Sequence, residues 1–218
     1  MKKLIIILMF SVPFFGTAQD SELGNWWMYF GNMKIDSKWN WHSEVQYRNY
    51  NFIGDLEQLL LRTGVGYNLS ENNNNILLGY GYILSQNYID GTDEKYDVNE
   101  HRIYQQFITK QQFKRVYVQH RYRFEQRFVE DDFKLRFRYF LSLNIALSNK
   151  EMIDKTLYLS LYNEIFLNSE NTVFDRDRLY GGLGYKFSKS LRVELGYMNQ
   201  FLPDTNRDQL NMIAFINF

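Results

Sequence analysis

From residue 38 onward, apolar side chains return at every second position. Residues 134–148 show it best. Leu135, Phe137, Tyr139, Leu141, Leu143, Ile145 and Leu147 share one face, and Arg136, Arg138, Phe140, Ser142, Asn144 and Ala146 share the other. Successive strand side chains point to opposite sides, whereas a helix would mix the two sets round its circumference. The same alternation sets Trp39, Trp41, Val45 and Tyr47 against Asn40, His42, Glu44, Gln46 and Arg48 over 39–50. It sets Val116, Val118, Tyr122, Phe124 and Phe128 against Gln119, Arg121, Arg123, Glu125 and Arg127 over 115–128. Over 155–167, Leu157, Leu159, Leu161 and Ile165 oppose Tyr158, Ser160, Tyr162 and Glu164. Further strands are predicted near 56–69, 75–86, 100–112, 177–187, 190–202 and 208–218, with a weaker one near 25–35. Short polar links fall at 36–38, 70–74, 112–114, 149–154 and 188–189. They alternate with links at 51–55, 87–99, 129–133, 168–176 and 203–207, of which 87–99 and 168–176 are the longest.

Strand length bears on the environment. Soluble sandwich strands average about five or six residues, whereas crossing a bilayer takes about 9–11 tilted residues, and the predicted strands reach that length. Periodicity alone does not say which face is buried, since a soluble barrel would turn its apolar face inward. Aromatics near strand ends, Trp39, Tyr47, Tyr67, Tyr185 and Tyr197, suit membrane interfaces. The last strand carries Leu210, Met212, Ala214 and Ile216 on one face and stops at Phe218, resembling the signal read by the outer-membrane assembly machinery. At the other end, Lys2 and Lys3 precede an apolar stretch, Leu4 to Phe10 with Val12 to Phe15, and the small residues Gly16, Thr17 and Ala18. That is a signal-peptide pattern, too short to span a bilayer as a helix. The expectation is a signal peptide over 1–18 and one domain over 19–218. That domain is an all-β, transmembrane, antiparallel up-and-down β-barrel of about ten to twelve strands, in the outer membrane of a Gram-negative cell. Counting from residue 39 gives ten strands, and including 25–35 gives eleven, although bacterial single-chain barrels normally have an even number. Residues 25–35 enter the lumen, lie across the barrel base or pair as a closing strand; sequence leaves all three open.

Composition narrows the chemistry. There is no cysteine, which removes disulfides, thiolate metal sites and a cysteine nucleophile. Without Lys2 and Lys3, the 25 basic residues become 23 against 25 acidic, a net charge of −2 with nothing to attract nucleic acid. Two prolines and 18% aromatics favour strands. The mean hydropathy is negative, as a barrel allows, because only alternate residues meet lipid.

The polar faces carry the candidate site. Arg62, Arg102, Arg121, Arg123, Glu125, Arg136, Arg138, Glu164 and Arg178 would line a narrow lumen, together with Glu44, Arg48, Glu100, Arg127, Arg192 and Glu194. One reading is a structural ion-pair network, since buried charges must be paired. The sharper reading is an arginine-rich site for a small anionic solute, a phosphate, a carboxylate or a lipid head group. Outer-membrane lipid is the expected surrounding. A wide channel would need about 16–18 strands. An enzyme reading, a lipid-modifying hydrolase at a barrel rim, rests on His42 beside Glu44, with Ser142 or Ser160 facing the lumen. No nucleophile elbow, phosphate loop or metal-spaced histidine cluster is present, and no cofactor is expected. The remaining alternative is a soluble periplasmic barrel around an apolar ligand. Paired glycines, Gly64 and Gly66, Gly79 and Gly81, Gly182 and Gly184, fall on single strand faces and read as lumen positions where bulk must be small.

Several segments together, EHRIYQQF at 100–107, VQHRYRFEQRF at 118–128, RLYGGLGYKF at 178–187 and the terminal strand, resemble an uncharacterised family catalogued as domain of unknown function 2490. The resemblance implies an outer-membrane-type barrel over nearly all of the mature chain. It carries over no catalytic residue.

Overall fold

A computed structural model describes residues 23–51, 54–70, 73–170 and 172–218. The expected signal peptide over 1–18 lies outside them. Eleven strands follow one another: β1 (Gly24–Lys34), β2 (Trp39–Asn49), β3 (Leu56–Asn68), β4 (Asn74–Tyr88), β5 (Lys95–Phe113) and β6 (Val116–Val129), then β7 (Asp132–Ala146), β8 (Thr156–Asn168), β9 (Phe174–Lys186), β10 (Leu191–Phe201) and β11 (Asn206–Asn217). Each pairs antiparallel with its sequence neighbours, and β1 closes the barrel against β11 in parallel, Gly24 opposite Gln209 through Asn32 opposite Asn217. The weak segment near 25–35 is therefore the closing strand. Parallel closure is forced by number: eleven up-and-down strands leave the first and last pointing the same way.

Two rims result. One carries the links 35–38, 69–73, 114–115, 147–155 and 187–190; the other carries 50–55, 89–94, 130–131, 169–173 and 202–205. The expected alternation of short and long links is not found. The stretch 87–99 is mostly ladder, with Asn87 opposite Tyr96 and Ser85 opposite Val98, so β5 begins at Lys95 and not near 100. The polar run before Asn99 disguised that strand. Likewise β9 begins at Phe174, after a register shift in β8 between Phe166 and Leu167. The longest link is 147–155, on the rim expected to carry the short turns. The two-residue turns at 114–115 and 130–131 each hold a non-glycine residue at positive φ, Lys114 at 54° and Glu130 at 48°.

The alternation resolves in one direction. Leu78, Leu183 and Leu195 are each more than half exposed on the outer surface, and Trp27, Leu61, Phe124, Phe137 and Leu157 share that surface. The opposite faces are enclosed: Glu44, Arg62, Arg102, Arg123, Glu125, Arg136, Arg138, Glu164 and Arg178 are buried. Charge is inside and hydrocarbon outside. A smaller apolar cluster, Trp26, Met28, Tyr180, Met198 and Ile213, fills the interior beside the closing strands.

Glycine makes room for the interior rings. Gly64 pairs with Gly79, and Gly182 with Gly196. A side chain at Gly79 would enter the Tyr104 ring, and one at Gly184 the Tyr158 ring. Both tyrosines are wholly buried. The glycine pairs thus serve as the small lumen positions their spacing implied.

Candidate functional site: an arginine-lined interior

The register of the strands sets the site. Arg136 and Arg138 lie two apart on the inner face of β7; Arg123, Glu125 and Arg127 do so on β6; Glu100 and Arg102 on β5; Glu44, Gln46 and Arg48 on β2. Cross-strand neighbours then meet. Glu125 is the hub, wholly buried, accepting from Arg136 Nη2 at 2.7 Å and from Arg138 Nη1 at 2.8 Å, with Arg123 Nη1 at 3.7 Å. Glu164 Oε1 accepts from Arg138 Nη2 and Arg121 Nη2, both at 2.7 Å. Glu100 receives the forks of Arg102 and Arg127. Glu44 accepts from Arg62 Nη1 at 2.5 Å and lies 3.3 Å from the His42 ring. Such two-pronged guanidinium contacts fix geometry as well as charge.

All nine residues singled out from sequence lie inside the barrel, eight of them buried and Arg121 half-buried. Two participants were missed. Asp175 accepts from Arg136 at 3.0 Å and from Arg176 at 3.0 Å. Both sit in a stretch read as a loop, and the shift opposite Phe166 breaks the alternation that would have flagged them. The aromatic partners were missed too, because period two does not say which ring a guanidinium will meet: Arg138 and Arg178 lie 4.3 and 4.6 Å from the Phe166 centroid.

The balance of charge is uneven. Arg48, Arg62, Arg102, Arg121, Arg123, Arg127, Arg136, Arg138, Arg176 and Arg178 are ten cations; Glu44, Glu100, Glu125, Glu164 and Asp175, the acids that contact them, are five. An excess of five positive charges remains. It borders a cavity of about 180 Å³ beneath the rim that carries 50–55 and 89–94. Eight arginines line this cavity and Glu100 is its single lining carboxylate. A shallow depression at the same rim, about 680 Å³ between 168–175 and 202–204, carries Glu170, Asp175 and Asp204 instead and lacks convergent cations. We take the smaller cavity as the site because buried, oriented donors converge there.

The hydrolase arrangement is not assembled. Ser142 and Ser160 are buried inside, yet among the described residues the His42 ring is hydrogen-bonded to Glu44 and to no hydroxyl. The Thr63 hydroxyl donates to the His42 carbonyl oxygen at 3.2 Å and not to its ring.

A family described as a protein of unknown function, DUF2490, matches over residues 23–211. The chain belongs to that family. The match runs from just before β1 into β11, so the family pattern takes in both strands of the closing pair. No curated protein and no solved structure matches the chain.

Proposed function

We propose that this DUF2490 member is an outer-membrane β-barrel that binds a small anion in a closed, arginine-lined interior, and that it is not an open channel. The observation that carries the reading is the uneven charge of the inner network: ten arginines against the five acids that contact them, eight of the ten around one cavity. Buried cations are costly unless paired. A network with five more cations than acids, its carboxylates each shared between arginines, favours an incoming anion. Membrane insertion is supported by the exposed leucines and aromatics of the outer face and by strands of 11 to 19 residues, which reach or exceed the about 9–11 needed to cross. Closure of the interior is supported by Tyr104 and Tyr158, each with no exposed surface, packed inside the barrel over Gly79 and Gly184. A soluble barrel around an apolar ligand would need the reverse arrangement, leucines inside and arginines outside.

Cell fractionation tests the location: the protein should need detergent for extraction and migrate faster on gels before boiling. Planar-bilayer recording tests the closed interior: no steady conductance should appear, and a stable open current would refute it. Thermal unfolding of the detergent-folded barrel should rise with added small anion by mass action. If no anion tested raises it, the binding reading fails and a purely structural barrel remains.

A further inference from the structure

Two of the eight arginines that line the cavity differ from the other six. Arg48 meets no carboxylate: its Nε and Nη2 donate to Gln46 Oε1 at 3.1 and 2.6 Å, and its Nη1 to Gln58 Oε1 at 2.7 Å. Arg178 donates through Nε to Gln200 Oε1 at 2.8 Å, and Glu164 approaches it only through Oε2 at 4.0 Å, its Oε1 being held by Arg138 and Arg121. Both are nine-tenths or more buried, and both line the cavity. They also converge. The Arg48 guanidinium lies 3.8 Å from the centroid of the Trp26 ring and that of Arg178 lies 4.8 Å from it, so one indole contacts both cations that line the cavity.

The geometry points to a compact dianionic oxyanion, of the phosphate or phosphomonoester class, held between Arg48 and Arg178; this rests on the anion-binding reading above and narrows it. Charge is the first reason. Two guanidiniums, neither hydrogen-bonded to a carboxylate, are neutralised together by a dianion, whereas a monocarboxylate leaves one without a hydrogen-bonded counter-charge in a low-dielectric interior. Donor number is the second. A guanidinium carries five N–H groups; Arg48 spends three and Arg178 one on the amides, which leaves six for a ligand. Forked donors match tetrahedral oxyanions, and several phosphate oxygens can take these up where the two oxygens of a carboxylate take fewer. Size is the third, for a cavity of about 180 Å³ falls below the roughly 300–1,000 Å³ of drug-sized sites. The same phosphate chemistry has two sources, a free small molecule or a phosphorylated lipid headgroup reaching in from the rim.

Calorimetric titration of the full, detergent-folded chain with inorganic phosphate and with acetate, at matched ionic strength, tests the class. Phosphate should bind at least about tenfold more tightly than acetate, and the Arg48→Gln, Arg178→Gln double variant should lose that advantage. Arg178→Lys keeps the charge without the fork and should weaken phosphate while leaving acetate unchanged, which guards against a double variant that fails to fold. Repeating the titration in vesicles of phosphatidylcholine with and without phosphatidic acid separates the sources. Phosphate binding suppressed by phosphatidic acid assigns a headgroup; binding indifferent to it assigns a free solute. Equal affinity for phosphate and acetate overturns this inference and leaves the anion pocket standing. No binding of either overturns both.

Discussion

The uneven charge inside the barrel makes removal of an acid and removal of an arginine opposite experiments. Glu125→Gln keeps the side-chain volume and deletes one charge at a position with no exposed surface. Arg136 Nε and Nη2 reach its Oε2 at 2.9 and 2.7 Å, and Arg138 Nη1 reaches Oε1 at 2.8 Å. At an effective dielectric constant of about 20, opposite charges about 4 Å apart attract by about 4 kcal/mol. Breaking a buried pair by removing one partner typically costs about 3–5 kcal/mol. Because Asp175 also holds Arg136 and Glu164 also holds Arg138, part of the loss is made up, and about 3 kcal/mol is the expected destabilisation. Arg48→Gln removes a buried cation that no carboxylate balances. Its cost in anion-free buffer should stay below about 1.5 kcal/mol, the scale of a neutral hydrogen bond. Lys134→Gln, which breaks a rim pair with Glu170 at 3.2 Å, should cost under about 1 kcal/mol. Urea titration of the barrel in lipid vesicles, followed by gel mobility without boiling, ranks the three. If Glu125→Gln proves as stable as the parent, or Arg48→Gln proves the worst of the three, the interior is hydrated enough to screen its charges and the reasoning fails.

Other perturbations follow from the same geometry. Leu195, on the outer face midway along β10, should cost about 2–4 kcal/mol on replacement by Arg in a bilayer; a neutral result would mean that this face meets water. Gly181 and Gly182 are adjacent on β9 and point opposite ways. Gly182→Ala would press its new carbon to 2.7 Å from the Leu195 carbonyl oxygen and 2.8 Å from the Gly196 Cα, while Gly181→Ala meets only Leu161 at 3.6 Å. The first should lose about 1–3 kcal/mol and the second almost nothing, read by the same urea titration. Asp55, in the link before β3, is opposed by its own desolvation, yet hydrogen bonds from Lys95 and Tyr88 and the Lys95 charge hold its pKa below the usual aspartate value. A depressed folded pKa contributes stability above the unfolded value of about 3.9 that is lost as pH falls through the folded one. Acidification below about pH 4 should therefore loosen the 50–55 link, and Asp55→Asn should remove that acid dependence, both measurable by amide exchange. Exchange should also be fastest, among strand interiors, across β1 and β11. Their pairing is the one parallel ladder, slightly weaker per residue, and it buries Gln209 and Asn211 with neither amide atom of either bonded. Uniform protection across all strands would contradict this.

Much of the barrel was legible because period-two alternation is strong wherever one face must be apolar and the other not. On β7 every residue from Leu135 to Ile145 was assigned its correct side from sequence. Legibility failed where polarity stops reporting on pairing. At 95–99 the strand pairs with β4 alone, beyond the end of β6, and KYDVN carries no clean alternation although it continues the β4 ladder. Around Asp175 the register shift against β8 breaks the phase on which the reading depended. The inner arginines were readable as a set because each sits on a polar face. Which of them lack a carboxylate was not, since that depends on register between strands far apart in sequence: Arg121 reaches Glu164 across 43 residues and Arg136 reaches Asp175 across 39.

Strand number and site are linked through Trp26. Without β1, the ten strands from β2 to β11 form an even set, and β2 and β11 run in opposite directions, so they could close by an ordinary antiparallel ladder. The barrel instead interposes β1 and accepts a parallel closure with unbonded amides beside it. What β1 contributes to the interior is an apolar stripe, Trp26, Met28 and Phe30, packed with Met198, Ile213 and Phe215. Its first member is the ring on which Arg48 and Arg178 rest. A cation held over an aromatic face is stabilised by about 2 kcal/mol when desolvated, far short of a buried carboxylate, yet the ring uses up none of the N–H groups that the amides of Gln46, Gln58 and Gln200 leave over. Substituting Trp26 by Leu keeps the apolar packing and removes the ring. If the odd strand is retained for the site, that variant should still close its barrel, with unchanged gel mobility before boiling, while its affinity for phosphate falls along with that of the double arginine variant. Should Trp26→Leu fail to close the barrel and yet bind phosphate normally in the fraction that folds, β1 would be a structural strand alone and the link between parity and binding would be broken.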